Sequence, residues 1–579
     1  MNKIKYTTDR STQILIALLK AHGIRKVVAS PGTTNAIFVA SIQNDSDFEV
    51  YSSADERSAA YIACGLAQES GEPVVITCTE ATASRNYLPA LTEAYYRKLP
   101  ILAITGYHCL ENVGHLYPQA IDRSVFPKDT VKLSVNIETF TDDDKKDWNT
   151  NFLINKAILE LRRKGGGPVH INMQIARWDF YAEEIPKTRV IKRIGYTDPF
   201  PALPNGKIAI TIGAHQRFSK HLISVIDSFC ESHNAAVFAN HVSGYSGKYK
   251  VNDALVGAQR NYNSPIKEAN LIIHLGEIGA SRVKGNEVWR VSSDGEIRDS
   301  YKKLKYVFEM DESFFFEHYK NEATEANDYF KACEEECQLI EKMIPQLPFS
   351  NVWIAQQTHH KIPSDSVIHF GILNSYRAWS FFKLPHGVES NCNVGGFGID
   401  GGLSTLIGAS FASPNKKFYG IFGDLAFFYD MNSLGNRHIK ENVRIMLINN
   451  GKGNEFRNCI HPAYKLGEMA DSYIAAAGHY GNKSSLLVRH YAEDLGFKYY
   501  SASSKDEYTK VLPYFLETNL TNGPVIFEVF TNGEDESSAL KIITTLKGDS
   551  SQTTKNALKD IAHNILGDKT IHTIKGLIK

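Results

Sequence analysis

Residues 417–456 read KFYGIFGDLAFFYDMNSLGNRHIKENVRIMLINNGKGNEF. The segment contains two largely apolar runs, FYGIF and VRIMLI, with residues at helical spacing between them. Strand, helix and strand is the predicted order, and polar side chains follow both strands: Asp424 after the first, Asn449 and Asn450 after the second. Ligands bind at the carboxyl ends of parallel strands, and carboxylate and amide oxygens suit Mg²⁺. The segment therefore predicts a site for Mg²⁺ and a diphosphate.

The composition is that of a large globular chain without a charge bias. Its 579 residues leave room for about three or four domains. Lysine plus arginine and aspartate plus glutamate both number 64, so there is no electrostatic signature for nucleic acid or an anionic membrane. We find no signal peptide and no apolar run of membrane-spanning length. We expect a cytoplasmic protein with no nucleic-acid or membrane partner, whose 8 cysteines are reduced thiols.

Strand and helix patterns alternate along most of the chain. This alternation predicts an α/β fold built from doubly wound parallel sheets. Four prolines between residues 185 and 205 predict a linker. We expect a first domain at 1–185, a second at 200–345, a third at 350–545 and a tail at 546–579 to which no role is assigned.

Glu56 stands at the start of a predicted helix, 54–71, directly after a predicted strand. One interpretation is structural, because an acidic residue in the first turn interacts favourably with the helix dipole. The other is catalytic. A glutamate at that place can donate a hydrogen bond to a ring nitrogen of an aminopyrimidine, and burial against a ring raises its pKa for that purpose.

Several motifs together resemble one enzyme family. SPGTTNAIF, SADERSAAYIACGLA, TCTEATASRNYLPALTEA and GPVHIN occur in this order, followed by a glycine-rich turn and by Gly-Asp, 24 residues and Asn-Asn. This order resembles the thiamine diphosphate enzymes of the acetolactate synthase and 2-oxo acid decarboxylase type. The most similar branch is the menaquinone-pathway succinyl-enolpyruvyl-hydroxycyclohexene-carboxylate synthases. The resemblance implies three doubly wound domains: pyrimidine-binding, central and diphosphate-binding. We expect the central domain to be a structural spacer.

The resemblance also implies site residues. Glu56 and Gln119 become catalytic candidates, and Asp424, the Asn450 side chain and the Lys452 carbonyl become ligands of Mg²⁺. Thiamine diphosphate itself would contact a further set: Glu56, Gly398, Ile399, Asp400, Gly423, Asp424, Leu425 and Asn450. In this set Ile399 is the apolar wedge that bends the cofactor, and Asp400 is expected to cap the helix that follows.

Four residues become substrate candidates: Thr33, Thr34, His108 and Arg377. The family has arginines where this chain has Thr34 and Val394, and a third near His108. Because buried carboxylates without a matching cation are costly, we expect a substrate different from that of the menaquinone pathway.

The resemblance implies an enzyme, a transferase or lyase, that decarboxylates a 2-oxo acid. The resulting acyl-anion equivalent would pass to an acceptor with formation of a C–C bond. A simple 2-oxo acid decarboxylase or an acetolactate-synthase-like enzyme is the alternative, and a non-catalytic relative that keeps the fold is a second. The family assembles its site between subunits, so a homodimer or homotetramer is expected.

Overall fold

The computed structural model describes residues 5–108, 110–123, 126–140, 142–174, 178–279, 281, 283–320, 327–480, 483–517 and 523–547. Most of the predicted tail lies outside these residues. The chain divides into two units, the first made of Met1–Phe200 and Asp294–Glu309, the second of Pro201–Ser293 and Met310–Lys579. The domain boundaries expected from the sequence stay predictions, and the two units are described separately.

The first unit contains a six-stranded parallel sheet. Its strands are β1 (Lys26–Ala29), β2 (Glu49–Ser52), β3 (Val74–Cys78), β4 (Ile101–Tyr107), β5 (Ser134–Ile137) and β6 (Val169–Gln174). They lie in the order β2-β1-β3-β4-β6-β5 and pair in parallel throughout. Two short strands, β7 (Lys192–Ile194) and β13 (Leu304–Phe308), form a further parallel pair in this unit.

Six helices cover this sheet: α1 (Arg10–Ala21), α2 (Ala36–Ile42), α3 (Glu56–Ser70), α4 (Thr82–Asn86), α5 (Leu88–Tyr96) and α6 (Asp144–Glu160). One apolar core joins the strands to α1 and α6, and another joins them to α3 and α5. Helices therefore cover both faces, which is why β3 and β4 are buried along their whole length. Helix α3 begins at Glu56 because the Asp55 side chain accepts from the N–H groups of Arg57 and Ser58.

The second unit begins with five parallel strands: β8 (Ile208–Ile212), β9 (Ala235–Ala239), β10 (Lys250–Val251), β11 (Glu268–Leu275) and β12 (Lys284–Val291). They lie in the order β10-β9-β8-β11-β12. The accompanying helices are α7 (Lys220–Ser232), α8 (Ala254–Ala258), α9 (Glu312–Tyr319) and α10 (Asp328–Lys342).

The same unit holds a third parallel sheet, which contains the segment 417–456. Its strands are β14 (Ser366–Phe370), β15 (Glu389–Cys392), β16 (Lys417–Gly423), β17 (Val443–Asn449), β18 (Lys498–Ala502) and β19 (Val525–Phe530). The order β15-β14-β16-β17-β19-β18 repeats that of the first sheet. Its helices are α11 (Asn351–Thr358), α12 (Asn374–Ser380), α13 (Gly402–Ala412), α14 (Asp424–Asp430), α15 (Leu487–Asp494), α16 (Lys505–Leu516) and α17 (Gly533–Ile543).

The predicted fold class, α/β with three doubly wound parallel sheets, is confirmed. The segment 417–456 forms strand β16, helix α14 and strand β17, as its pattern predicts. Strand β5 was not predicted, because SVNI is short and carries a polar residue at every second position. Within the described residues, no helix combines the length and the apolar character that crossing a membrane requires.

Candidate active site

Asp424 lies where β16 ends and α14 begins, and it is buried. Its Oδ1 accepts a hydrogen bond from the N–H of Leu425 at 2.7 Å, and its Oδ2 accepts one from the N–H of Gly451, also at 2.7 Å. Burial raises the pKa of Asp424 to about 6, although these backbone donors act in the opposite direction. A buried carboxylate with this environment gains stability when a cation binds beside it.

The two asparagines at the end of β17, Asn449 within the strand and Asn450 directly after it, have different surroundings. Asn449 donates from Nδ2 to Glu528 Oε1 at 2.7 Å, and its Oδ1 accepts from the N–H of Gly451 at 3.2 Å. Its side chain therefore braces the turn. Asn450 Oδ1 is buried and has no hydrogen-bond partner among the residues that the structure describes. An unpartnered buried oxygen is costly unless a ligand satisfies it.

These residues fit a hard divalent cation. In the described part of the chain, no group of three or more His, Cys, Asp or Glu side chains is placed to hold a metal. A metal here would depend on Asp424, the open oxygen of Asn450 and the backbone carbonyl of Lys452. A single carboxylate with neutral oxygens suits Mg²⁺ that also binds phosphate. Gly451 has φ +81°, a conformation that glycine adopts readily and that permits the tight turn between these groups.

The loop after this turn is held by ion pairs. Lys452 Nζ lies 2.7 Å from Asp471 Oδ2, and Arg457 Nη1 lies 3.0 Å from Asp471 Oδ1. A Cβ atom on Gly453 would lie 3.0 Å from Leu425 Cδ1 and 3.3 Å from the Ala475 carbonyl oxygen, so a side chain here would require a small shift of these neighbours. The half-buried Leu425 thus packs directly over the loop.

The glycine-rich turn before α13 contains the other predicted cofactor residues. Ile399 is half-buried and packs against an apolar cluster of Val242, Ile372 and Val394, whereas Gly398 and Asp400 are exposed. The prediction that Asp400 caps α13 is wrong. Gly401 occupies the N-cap position and makes no side-chain bond there.

The Asp430 carboxylate instead satisfies the first turn of α13. It accepts from the N–H and from the hydroxyl of Ser404, each at 2.6 Å. Its contribution was not visible in the sequence, because Asp430 ends α14 and lies 26 positions beyond Ser404.

Arg377, expected to face a substrate carboxylate, lies on α12 and is paired within the protein. Its Nη1 and Nη2 atoms each donate to one oxygen of the Glu455 carboxylate at 2.8 Å. Both terminal nitrogens of the guanidinium are therefore already bound to a carboxylate.

In the first unit, Glu56 is the first residue of α3 and follows β2. It is half-buried, and Asn86 Nδ2 lies 3.5 Å from its Oε2. Both interpretations of Glu56 suit this position, since it begins a helix and also stands at the carboxyl edge of the sheet.

The substrate candidates of this unit are Thr33, Thr34 and His108, and they differ in exposure and in their contacts. Thr34 is buried, and its hydroxyl lies 2.9 Å from that of Thr79, while Thr33 is exposed. His108 follows β4, and its Nε2 lies 3.1 Å from Glu80 Oε1. Gln119, which was predicted as a catalytic residue and not as a substrate contact, is exposed with φ +66° in the connection beyond β4. The structure thus brings Thr34 and His108 to the edge where β1, β3 and β4 end.

Sequence reasoning missed two charged residues at this edge. Glu80 is buried after β3, where burial raises its pKa. Arg123 is also buried, donates to the Gly106 carbonyl at 2.7 Å and lies 3.9 Å from Glu80 Oε2. The signal for Glu80 was present, because it follows an apolar run just as Asp424 does.

Comparisons of the sequence with known proteins identify a family. Residues 10–126 match the family model described as "Thiamine pyrophosphate enzyme, N-terminal TPP binding domain". The 2-succinyl-5-enolpyruvyl-6-hydroxy-3-cyclohexene-1-carboxylate synthase of Bacteroides fragilis is 32% identical over 568 residues, covering 93% of this chain and 98% of that protein. The synthase of the same name from Bacteroides thetaiotaomicron is 31% identical over 562 residues, with the same coverage.

A solved structure, Rhodococcus jostii RHA1 thiamine diphosphate-dependent 4-hydroxybenzoylformate decarboxylase, aligns with 90% of this chain and 99% of that chain, at 16% identity and a TM-score of 0.39.

Three doubly wound parallel sheets, with the buried carboxylate of Asp424 at a strand end, place the chain among α/β proteins that bind ligands at the carboxyl edge of a sheet. The chain belongs to the thiamine pyrophosphate enzyme family. The resemblance predicted from the sequence, including its similarity to the menaquinone-pathway synthases, is confirmed.

Proposed function

We propose that this chain is a thiamine diphosphate- and Mg²⁺-dependent enzyme that decarboxylates a 2-oxo acid and joins the remaining acyl unit to an acceptor by a new C–C bond. The observation that carries the proposal is the oxygen set at the ends of β16 and β17. There the buried Asp424 carboxylate and the unpartnered Asn450 Oδ1 flank the Gly451 turn. When bound, thiamine diphosphate supplies a nucleophilic carbon and accepts the electrons that CO₂ leaves behind.

Asp424, Asn450 and the Lys452 carbonyl would hold Mg²⁺, which in turn holds the diphosphate. Asp424 is already fixed by two backbone donors, so it need not reorganise when the ion binds. The diphosphate would lie next to Gly423 and Leu425. Gly423 has no side chain at the strand end, and Leu425 packs over Gly453. Gly398, Ile399 and Asp400 would border the rest of the cofactor from the turn before α13.

Glu56 would act on the pyrimidine end. Its carboxyl group would hold a proton at one oxygen and donate it in a hydrogen bond to a ring nitrogen of the cofactor. The half-buried position at the start of α3 supports this role, because the side chain is partly shielded from water yet remains accessible. Gln119 is proposed as a second catalytic group on the resemblance alone.

The substrate would differ from that of the menaquinone-pathway relatives. Thr34 and Val394 stand where that branch has arginines, and both are buried among neutral groups. His108 is paired with Glu80. Thr33, Thr34, His108 and Arg377 remain proposed substrate neighbours, and the synthase names of the relatives support C–C bond formation over simple decarboxylation.

We expect a homodimer or homotetramer. Helix α3 carries two large apolar side chains on its outer face, Tyr61 at 46% and Ile62 at 45% exposure. Glu56 begins the same helix. An interface on this face of α3 would cover these two side chains, and aromatic residues are enriched in protein–protein interfaces. Sedimentation or light scattering over a dilution series tests the assembly, and a monomer at every concentration would contradict it.

Calorimetric titration with thiamine diphosphate, in the presence and absence of Mg²⁺, tests the cofactor proposal directly. CO₂ release from a panel of 2-oxo acids then tests decarboxylation, and product analysis with and without aldehyde acceptors tests ligation. A free aldehyde as the sole product in every mixture would favour the simple decarboxylase. Failure to bind the cofactor with Mg²⁺ would reject the whole proposal.

A further inference from the structure

Arg377 and Glu455 form a closed ion pair beside the proposed cofactor site. The two guanidinium nitrogens and the two carboxylate oxygens are matched one to one, each contact at 2.8 Å. The pair is partly shielded from water, because the side chains are 25% and 14% exposed. Such bidentate pairs are stronger and more directional than single contacts.

Two asparagines complete the arrangement around this pair. Arg377 Nη1 also lies 3.2 Å from Asn374 Oδ1. Asn458 donates from Nδ2 to Asn374 Oδ1 at 2.7 Å and to Glu455 Oε2 at 3.1 Å. The four side chains form a ring of hydrogen bonds, so the Arg377 fork is held in its present direction.

The position of the pair connects it to the chemistry. Arg377 lies on α12, which follows β14 at the carboxyl edge of the third sheet. Glu455 lies four positions beyond Gly451, whose N–H binds the Asp424 carboxylate. A substrate bound next to the proposed cofactor would therefore lie at this edge of the third sheet.

The neighbouring cations are neutralised in the same way. Lys452 and Arg457 both contact the Asp471 carboxylate, at 2.7 Å and 3.0 Å. Each of the three cations therefore already contacts a carboxylate, and an incoming carboxylate would have to displace that partner or share the cation with it. If it shared the cation, it would be brought near existing negative charge in a partly desolvated site.

We infer that Glu455 determines donor specificity, and that the donor is a 2-oxo acid with an uncharged side chain rather than a 2-oxo dicarboxylic acid. This inference rests on the proposed function. Glu455 occupies both terminal nitrogens of the Arg377 guanidinium, the two-pronged donor that suits a second carboxylate, so it acts as a fixed internal substitute for that carboxylate. Neutralising Glu455 frees the guanidinium without removing it.

The test compares pyruvate with 2-oxoglutarate as donors for CO₂ release, with thiamine diphosphate and Mg²⁺ present. The variants are E455Q, the double variant R377Q/E455Q, and E468Q as the control. Glu468 is an exposed carboxylate of the next short helix, so its change removes the same charge without touching Arg377. E455A also removes the carboxylate and is tested beside E455Q. Thermal unfolding shows whether each variant is folded.

The wild type should prefer pyruvate in kcat/KM by at least about tenfold, and E455Q should shift this ratio toward 2-oxoglutarate by about tenfold or more. The gain should appear chiefly as a lower KM for 2-oxoglutarate. R377Q/E455Q and E468Q should show no such gain. If the role of Glu455 were purely structural, its substitution would lower kcat/KM for both donors together and leave their ratio unchanged.

A wild type that uses both donors equally, or folded E455Q and E455A proteins with an unchanged ratio, would overturn the inference while leaving the proposed function intact. Absence of CO₂ release from every donor in every variant would overturn both. The two failures are therefore distinguishable.

Discussion

The backbone N–H of Gly451 donates a 2.7 Å hydrogen bond to the Asp424 carboxylate, joining the ends of two adjacent strands. The bond spans 27 positions of sequence. It aligns the residue after β16 with the turn after β17, so the carboxylate and the open oxygen of Asn450 belong to one rigid corner of the third sheet. A site built on strand ends in this way is positioned before any ligand arrives.

Replacing Asp424 with asparagine should weaken Mg²⁺-dependent cofactor binding. The variant loses the only carboxylate of the proposed metal site, and its amide N–H₂ faces a backbone donor. We expect affinity for thiamine diphosphate in the presence of Mg²⁺ to fall by roughly 100-fold, about 2.7 kcal/mol. Calorimetry measures this. Asp494→Asn, at an exposed carboxylate of α15, should bind as the wild type does, and equal affinity in both variants would refute the assignment.

Replacing Glu56 with glutamine should separate binding from turnover. Glutamine keeps the size of the side chain but cannot supply the proton that the proposed role requires. CO₂ release should fall by about 10²-fold or more, with little change in cofactor affinity. Glu69→Gln, at an exposed position of the same helix, is the control. Turnover that survives Glu56→Gln would support the structural interpretation of Glu56, whereas a wild type without any turnover would favour the non-catalytic alternative.

His170 should make the first unit sensitive to acid. It is fully enclosed in β6, with Nε2 2.7 Å from the Thr105 hydroxyl and Nδ1 2.7 Å from the Ser134 hydroxyl. Burial lowers the pKa of His170 to about 3, with a smaller contribution from Arg123. Because the folded pKa lies below the unfolded value of about 6.5, its contribution to stability is complete above about pH 6.5 and is lost as the pH falls toward 3.

Thermal unfolding from pH 7 to pH 4 checks this prediction. The unfolding temperature of the wild type should drop more steeply below pH 6 than that of His170→Gln, which lacks the titrating ring. The difference should reach a few kcal/mol at the acid end. His386→Gln, at an exposed histidine, should follow the wild type. Parallel curves for the wild type and His170→Gln would show that the ring does not titrate as expected.

Replacing Ala81 with glycine should stabilise the protein. Ala81 precedes α4 with φ +58° and ψ −127°, a conformation that side chains disfavour. Glycine relieves that strain, and after its greater freedom in the unfolded chain is subtracted, a gain of about 1 kcal/mol is expected. Ala67→Gly inside α3 is the counterpart and should destabilise by roughly 0.5–1 kcal/mol. A loss of stability at position 81 would contradict the prediction.

Contacts local in sequence were predictable. The strands β16 and β17 and the position of Asp424 follow from apolar runs that end at polar residues, and the same rule applied to Val74–Cys78 would have found Glu80. Such patterns work because a parallel strand covered on both faces must be apolar along its length.

Contacts between distant positions were not predictable. Glu455 lies 78 positions from Arg377, and Asp430 caps a helix that begins 28 positions before it. In each case a charged residue has several equally plausible partners until the fold selects one. The sequence shows which cations this site contains, whereas only the structure shows that they are already neutralised.

In the first and third sheets, the strand that comes last in the sequence is not an edge strand. Strand β6 lies between β4 and β5, and β19 lies between β17 and β18. A nascent chain on the ribosome therefore cannot finish either sheet by adding to its rim. Until that final strand is synthesised, the two strands that will flank it have unpaired edges. Truncation just before β19 would therefore leave a gap in the sheet that carries Asp424.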